Sequence, residues 1–125
     1  MRKEIFTENA PEAIGPYSQA IEAGDFIYIS GQIGINPETG EVAEGIEAQT
    51  NQVMHNLQAI LTEAGTDVSQ VVKFTIYIDS MDNFATVNDI YGGYLSKPYP
   101  ARATVEVSKL PKNVLIEMDA VVYTK

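Results

Sequence analysis

The tightest constraint on the fold is the stretch from Pro100 to Met118, which carries two runs of alternating polarity. Ala101, Ala103, Val105 and Val107 alternate with polar neighbours, and Val114, Ile116, Met118 and Ala120 do the same. A period of two puts every second side chain on one face, so each run reads as a half-buried strand. Two such runs in close succession predict a β-hairpin. Its opposite parity carries Arg102, Thr104 and Glu106, then Leu115, Glu117 and Asp119. A turn centred near Leu110 and Pro111 sets Thr104 opposite Glu117 and Arg102 opposite Asp119, with Arg102 and Glu117 as diagonal neighbours. Registers shifted by two keep the faces and change the partners.

Arg102 is unusual in this composition. Only Arg2 and Arg102 of the eight basic residues are arginine, and Arg2 lies at a terminus. Arg102 sits mid-strand between two alanines, which leave room around its stem. A planar fork of five donors suits a carboxylate held with geometry as well as charge. Two readings stand side by side: an internal ion pair with Glu117 or Asp119, and an anion-binding arginine beside a carboxylate that moves protons.

Elsewhere the patterning predicts one α+β domain over residues 1–125, in the order β-β-β-α-β-α-β-β. Lys3 to Phe6 reads as an edge strand, Gly15-Pro16 as a bend, and Tyr17 to Glu22 with Phe26 to Ser30 as a hairpin around Ala23-Gly24-Asp25. Gly31 is either a β-bulge or a point of close backbone approach to a ligand. Asn36-Pro37-Glu38-Thr39-Gly40 is a turn. Ile46 to Ala64 is a long helix with Ile46, Thr50, Val53, Met54, Leu57, Ile60, Leu61 and Ala64 on one stripe, and Glu47, Gln49, Gln52, His55, Gln58 and Glu63 elsewhere. Gly65 stops it. His55 lies off the stripe, as a solvated surface histidine would. Val71 to Ile78 alternates, with Val72, Phe74, Ile76 and Ile78 facing the helices. Ser80 caps a second helix whose apolar stripe is Phe84, Val87, Ile90, Tyr91 and Tyr94, and Asn88 falls just off it. Two helices on one sheet face leave the other uncovered, with Leu115, Val121, Tyr123, Val71 and Tyr77 mixed among Arg102 and Glu117. Apolar residues on such a face suggest a partner surface.

Composition narrows the function classes. Seventeen acidic residues against eight basic ones give a net charge of −9, which repels nucleic acid and anionic membrane surfaces alike. The chain has no cysteine, which removes thiol catalysis, disulfides and thiolate metal sites. No metal-ligand spacing is visible, and neither a charged-then-apolar leader nor an apolar run near 20 residues occurs, so a cytoplasmic protein is expected.

The run Pro100-Ala101-Arg102, a small residue at 103, Val105, Lys109, Leu110 and Ile116-Glu117-Met118 resembles the signature of the RidA/YjgF family of enamine/imine deaminases. Gly15-Pro16-Tyr17-Ser18-Gln19-Ala20, Ser30-Gly31-Gln32, and Val87-Asn88 followed by Tyr91 agree with it, so the similarity spans essentially the whole chain. The resemblance implies a chorismate-mutase-like fold, a homotrimer with its sheets inside, and three sites in the clefts between subunits. It implies hydrolysis of 2-aminoacrylate-type imines and enamines to 2-keto acids and ammonia without a cofactor. In that reaction Arg102 holds the substrate carboxylate and Glu117 orients water and shuttles a proton. Tyr17, Ser30, Gly31 and Asn88 line the pocket by the same resemblance, and the backbone of Thr104 is available to hold a water. Thr104 departs from the cysteine common in relatives, and Ala103 from serine. A binder of amino or keto acids without turnover could use the same cleft, and a ribonuclease role is disfavoured by the acidic chain.

Overall fold

The computed structural model describes residues 1–125. The long helix is the anchor of the packing. Helix α1 (Gly45–Glu63) buries Thr50, Val53, Met54, Leu57, Ile60 and Leu61, positions separated by threes and fours that form one stripe. It ends where Gly65 takes φ +81°. The amides of Gly65 and Thr66 turn back onto the carbonyls of Thr62 and Leu61, both at 3.0 Å, which satisfies two carbonyls that a helix end leaves free.

That stripe covers one face of a six-stranded sheet built from β1 (Arg2–Ile5), β2 (Ala20–Ala23), β3 (Phe26–Ile33), β4 (Val71–Ile78), β5 (Ala101–Glu106) and β6 (Ile116–Tyr123), in the order β1-β2-β3-β6-β4-β5. Helix α2 (Phe84–Gly93) lies beside α1 and bridges β4 to β5, which pair parallel, while every other pair in the sheet is antiparallel. Ile27, Ile29, Phe74, Ile76, Ile78, Ile116, Met118, Ala120 and Val122 point into the core beneath the helices. The α+β class and the element order follow the sequence patterning. No helix is long and apolar enough to cross a membrane.

The expected hairpin between residues 101 and 120 does not form. β6 lies between β3 and β4, and β5 is the sheet edge on the far side of β4. The 107–115 connection, with Lys112 and Asn113 at φ 56° and 55°, carries the chain past β4. Alternation within each run sets its faces but not its neighbour. β6 is apolar enough to be buried between two partners, whereas β5, with Arg102 and Glu106 on the helix side, suits an edge.

The consequence for the two charged residues is decisive. Phe74 pairs with Arg102 in β5 and with Ala120 in β6, while Tyr77 pairs with Glu117. Arg102, Thr104 and Glu106 therefore share the helix-covered face with Phe74 and Ile76. Glu117 and Asp119 share the open face with Tyr77, Thr75, Ala101, Ala103 and Val105. Neither Thr104 and Glu117 nor Arg102 and Asp119 are partners.

Three smaller corrections have local causes. A register irregularity between Val71 and Lys73 turns Val71 into the core and Val72 out to 42% exposure, the reverse of simple alternation. Gln49, placed off the helix stripe from the sequence, is buried, accepting from the Leu115 amide at 2.8 Å and donating to the Ala43 carbonyl at 3.1 Å. β3 continues past Ser30 to Ile33, so Ser30 and Gly31 form an irregularity within the strand.

Buried amides tie down the loops. Gln19 accepts from the Thr7 amide at 2.8 Å and donates to the carbonyls of Thr7 and Pro11 at 3.0 and 2.9 Å, closing the segment that carries Tyr17. Replacing Gln19 by Leu keeps the volume but strands a buried amide and its carbonyls, so a loss of about 2 kcal/mol is expected. Thermal and denaturant unfolding of Gln19→Leu measure it, and a change below about 0.5 kcal/mol, the range of an ordinary surface substitution, would contradict this account.

Candidate functional site

The guanidinium of Arg102 is held by one face of α2. Phe84, Asn88 and Tyr91 lie four and three residues apart, so they line up along the helix. Arg102 Nη1 donates to Asn88 Oδ1, and Cζ lies 5.5 Å from the Phe84 ring centre and 5.4 Å from that of Tyr91. Tyr91 is fixed from below by an edge-to-face contact with Phe74, with centroids 5.4 Å apart. Burial pushes the Tyr91 phenol's proton affinity up, opposed by the Arg102 charge. No carboxylate pairs with Arg102, since the chain's one ion pair joins Lys125 to Asp25 at 3.8 Å. The internal ion-pair reading of Arg102 is thereby removed.

Arg102 opens onto a hollow of about 410 Å³ lined by Asn88, Tyr91, Gly92, Tyr99, Pro100 and Arg102 itself. One of its five donors is used by Asn88, and two rings and a carbonyl oxygen fix its plane. Such a group is prepared for a small anion. Thr104 lies two residues along the same strand face, and its hydroxyl is buried with no protein partner.

A second group of residues gathers around Glu117. The carboxylate of Glu117 rests on Gly31, where a Cβ would overlap it, so any larger residue at this point of β3 would displace the carboxylate from its position. Gly31 is thus both an irregularity in the strand and a close approach, and the group that approaches is a side chain of β6. The Ser30 hydroxyl donates to the Ser18 carbonyl at 2.6 Å, and the Ser30 amide donates to the Gln19 carbonyl at 2.9 Å. These bonds bring Tyr17, half exposed, to a small hollow that it shares with Gly31, Glu12 and Gln32. Burial raises the proton affinity of the half-buried Glu117, and the charge of Asp119 adds to the effect.

The residues singled out from the sequence therefore fall into two sets. Arg102, Asn88 and Thr104 belong to the β5–α2 edge, and Glu117, Gly31, Ser30 and Tyr17 to the β3–β6 side, with β4 between them. One chain does not bring Arg102 to Glu117. Sequence reasoning missed Phe84, Tyr91 and Tyr99 as parts of the arginine's setting. Phe84 was visible only as a helix-stripe residue and Tyr91 as a stripe residue that also follows the Val87-Asn88 motif, so Asn88 beside that stripe was the available signal. His55 is at the surface, where its Nε2 lies 3.2 Å from the Tyr94 hydroxyl. No cluster of three or more His, Cys, Asp or Glu side chains is arranged to hold a metal ion.

Comparison with known proteins gives the family. A family model described as Endoribonuclease L-PSP matches residues 7–124. A RutC family protein of Pyrococcus horikoshii is 53% identical over 124 residues, covering 98% of each chain. The 2-iminobutanoate/2-iminopropanoate deaminase of Escherichia coli is 46% identical over 124 residues, covering 97% of each. The crystal structure of RidA from an Antarctic Psychrobacter superposes with a TM-score of 0.95 at 45% identity, covering 97% of this chain and 98% of that one. On the family model and on identities of this size over nearly the full length, the chain belongs to the RidA/YjgF family.

Proposed function

We propose that the protein is an imine deaminase that hydrolyses 2-aminoacrylate-type enamines and imines to 2-keto acids and ammonia. Its sites are assembled between the subunits of a homotrimer. The observation that carries this reading is Arg102, held by Asn88 and two rings with no internal carboxylate to neutralise it. The identity to proteins named 2-iminobutanoate/2-iminopropanoate deaminase supports the reaction class.

The division of the site over two faces supports the assembly. The open face carries Tyr28, Val105 and Tyr123 at 51, 42 and 40% exposure, together with Val121. Covering it with another subunit buries these groups and brings the Glu117 set of one copy to the Arg102 set of the next.

In the reaction, the guanidinium grips the substrate carboxylate through parallel charge-assisted bonds and fixes the imine carbon beside a water. Glu117 takes a proton from that water as the oxygen–carbon bond forms and the imine π-electrons move to nitrogen. The proton passes to the amine nitrogen. The carbon–nitrogen bond then breaks as Glu117 receives the hydroxyl proton, which it gives to the departing ammonia. Imine and water are consumed, keto acid and ammonia appear, and Glu117 is restored. A protonated imine is electrophilic by itself, so the chemistry asks for no cofactor. Thr104 is asked only for its backbone.

Arg102→Lys keeps the charge but not the fork. Loss of one charge-assisted bond should lower kcat/KM roughly 10- to 100-fold with melting temperature little changed. The assay is keto-acid release from an imine generated in situ by an amino-acid oxidase, and near-normal turnover in the Lys variant would remove Arg102 from substrate binding. Ligand binding without turnover in the wild type would instead favour a regulatory binder.

The intersubunit site gives a sharper check. Arg102→Ala and Glu117→Gln should each be inactive alone. Unfolded together and refolded as mixed trimers, they regain activity, because about a quarter of the interfaces in a random equal mixture join two intact halves. Light scattering should give about three times the chain mass for the wild type and the mixture, and mixed trimers without activity would place both residues in one subunit's site or in none. Thr104→Val, which removes a hydroxyl that no protein group bonds, should leave turnover within about threefold and stability within about 1 kcal/mol of the parent. A larger activity loss would give the hydroxyl a chemical role.

A further inference from the structure

Glu117 has company on the open face. Asp119 follows it two residues along β6 on the same face, and Tyr77 stands directly opposite Glu117 in the β4–β6 register. The Tyr77 hydroxyl passes its own partner and donates to Asp119 Oδ2 at 3.0 Å, a diagonal reach open to an aromatic side chain. The hydrogen bond holds a second carboxylate on the face where one already lies half-buried. Like charges on one face oppose each other, so stability alone gives no reason for an acid at 119.

We propose that Asp119, anchored by the Tyr77 hydroxyl, is a positioning residue of the deaminase reaction: it keeps a fixed negative charge beside Glu117 so that Glu117 can hold the proton between taking it from water and returning it to nitrogen. This rests on the reading of Glu117 as the proton carrier and deepens it. A carboxylate in an ordinary environment releases its proton too readily to carry it at neutral pH, and a neighbouring anion strengthens its hold without touching the substrate.

Within one chain the groups around Glu117 leave Asp119 as the charge that acts on it; the guanidinium that assembly brings from the next copy is the same in the wild type and in the Asp119 and Tyr77 variants, so it does not alter the comparison between them. β4 offers Tyr77, with Lys73 two rows away on the same face, opposite Val121. β3 offers the backbone of Gly31 and Ile33, and beyond it Glu12 and Tyr17 border the Gly31 hollow. β5 contributes Ala101, Ala103 and Val105, none of which ionises. Burial is the larger cause of the raised proton affinity of Glu117, and Asp119 is the one charge that adds to it. The phenol of Tyr77 is itself pushed up by burial and by its bond to Asp119, so it stays a donor.

A carboxyl with raised affinity is protonated, and unable to take a proton from water, further up the pH scale. The kcat/KM of the wild type therefore falls as pH drops through the raised Glu117 value. Asp119→Asn keeps the shape and removes the charge, so this acidic limb should move to lower pH by roughly half a unit to one unit. Tyr77→Phe frees the Asp119 carboxylate and should move the limb the same way by less, while Asp119→Glu should keep it near the wild-type position. Titration of the Glu117 side-chain carboxyl by ¹³C NMR in the intact oligomer follows the same shift without relying on turnover. An unmoved Glu117 titration in folded Asp119→Asn overturns the proposal, and if that variant does not fold, an unmoved titration in Tyr77→Phe does so. An active Glu117→Gln, by contrast, would strike at the broader reading of Glu117 and not at the effect of Asp119 on its titration, so the two failures are separable.

Discussion

The placement of β6 between β3 and β4 is the constraint on which the rest depends. A central strand has both edges bonded, so its register cannot slip by one residue without driving Ile116, Met118, Ala120 and Val122 out of the core. That locks Glu117 and Asp119 onto the open face. The same locking of β4 puts Phe74 under the helices and, through the parallel pairing, Arg102 with it. The separation of Glu117 from Arg102 is thus a direct result of strand parity. No side-chain rotation within one chain undoes it, because the sheet itself stands between them.

Each half is made rigid by a different device. On the helix side the guanidinium lies over two rings, each contact contributing about 0.5 to 1 kcal/mol at an exposed site, and the hydrogen bond to Asn88 sets its direction. The Tyr91 ring is itself rooted in the core through Phe74. On the other side, backbone and amide bonds do the holding: Ser30 and Gln19 fix the segment before β2, and Gly31 lets β3 come up against the Glu117 carboxylate. Asn56 of α1 adds a similar splint, donating to the carbonyls of Ile33 and Ile35 at 3.1 and 3.0 Å where β3 gives way to the turn. Buried amides serve here because irregular segments leave backbone groups that no ladder satisfies.

This contrast explains what the sequence made legible. Periodicity reports burial, so the α1 stripe, the bounds of β4 and the order of elements could be read directly, and Gly65 and the 36–40 turn were marked by residues with strong local preferences. Periodicity does not report partners. The runs around Arg102 and Glu117 look like a hairpin because each alternates, yet the apolar set of β5 belongs to the open face and that of β6 to the core. Val71 escaped alternation through an irregularity with no signature of its own. Gln49 and Asn56 escaped because a glutamine or asparagine that bonds loop backbone has the same composition as one in water. The candidate residues were identifiable by resemblance to a family, but their division into two sets was not, since it depends on which strands lie between them.

Charge decides which chemistry the Arg102 hollow favours. With a net charge of −9, the surface as a whole repels polyanions, and an RNA backbone would meet that field along its length. A small carboxylate meets it only in passing. Arg102 is one fixed positive group whose plane matches a single two-oxygen anion, and the wall around it is aromatic, with Tyr91 and Tyr99 in place of further cations. A phosphodiester chain needs a track of basic residues, and the eight lysines and arginines of this chain do not form one around the hollow, whose only cationic member is Arg102. The description of the matching family model as an endoribonuclease thus finds no electrostatic support at this site, whereas one guanidinium facing a hollow of small-molecule size suits a short 2-imino acid.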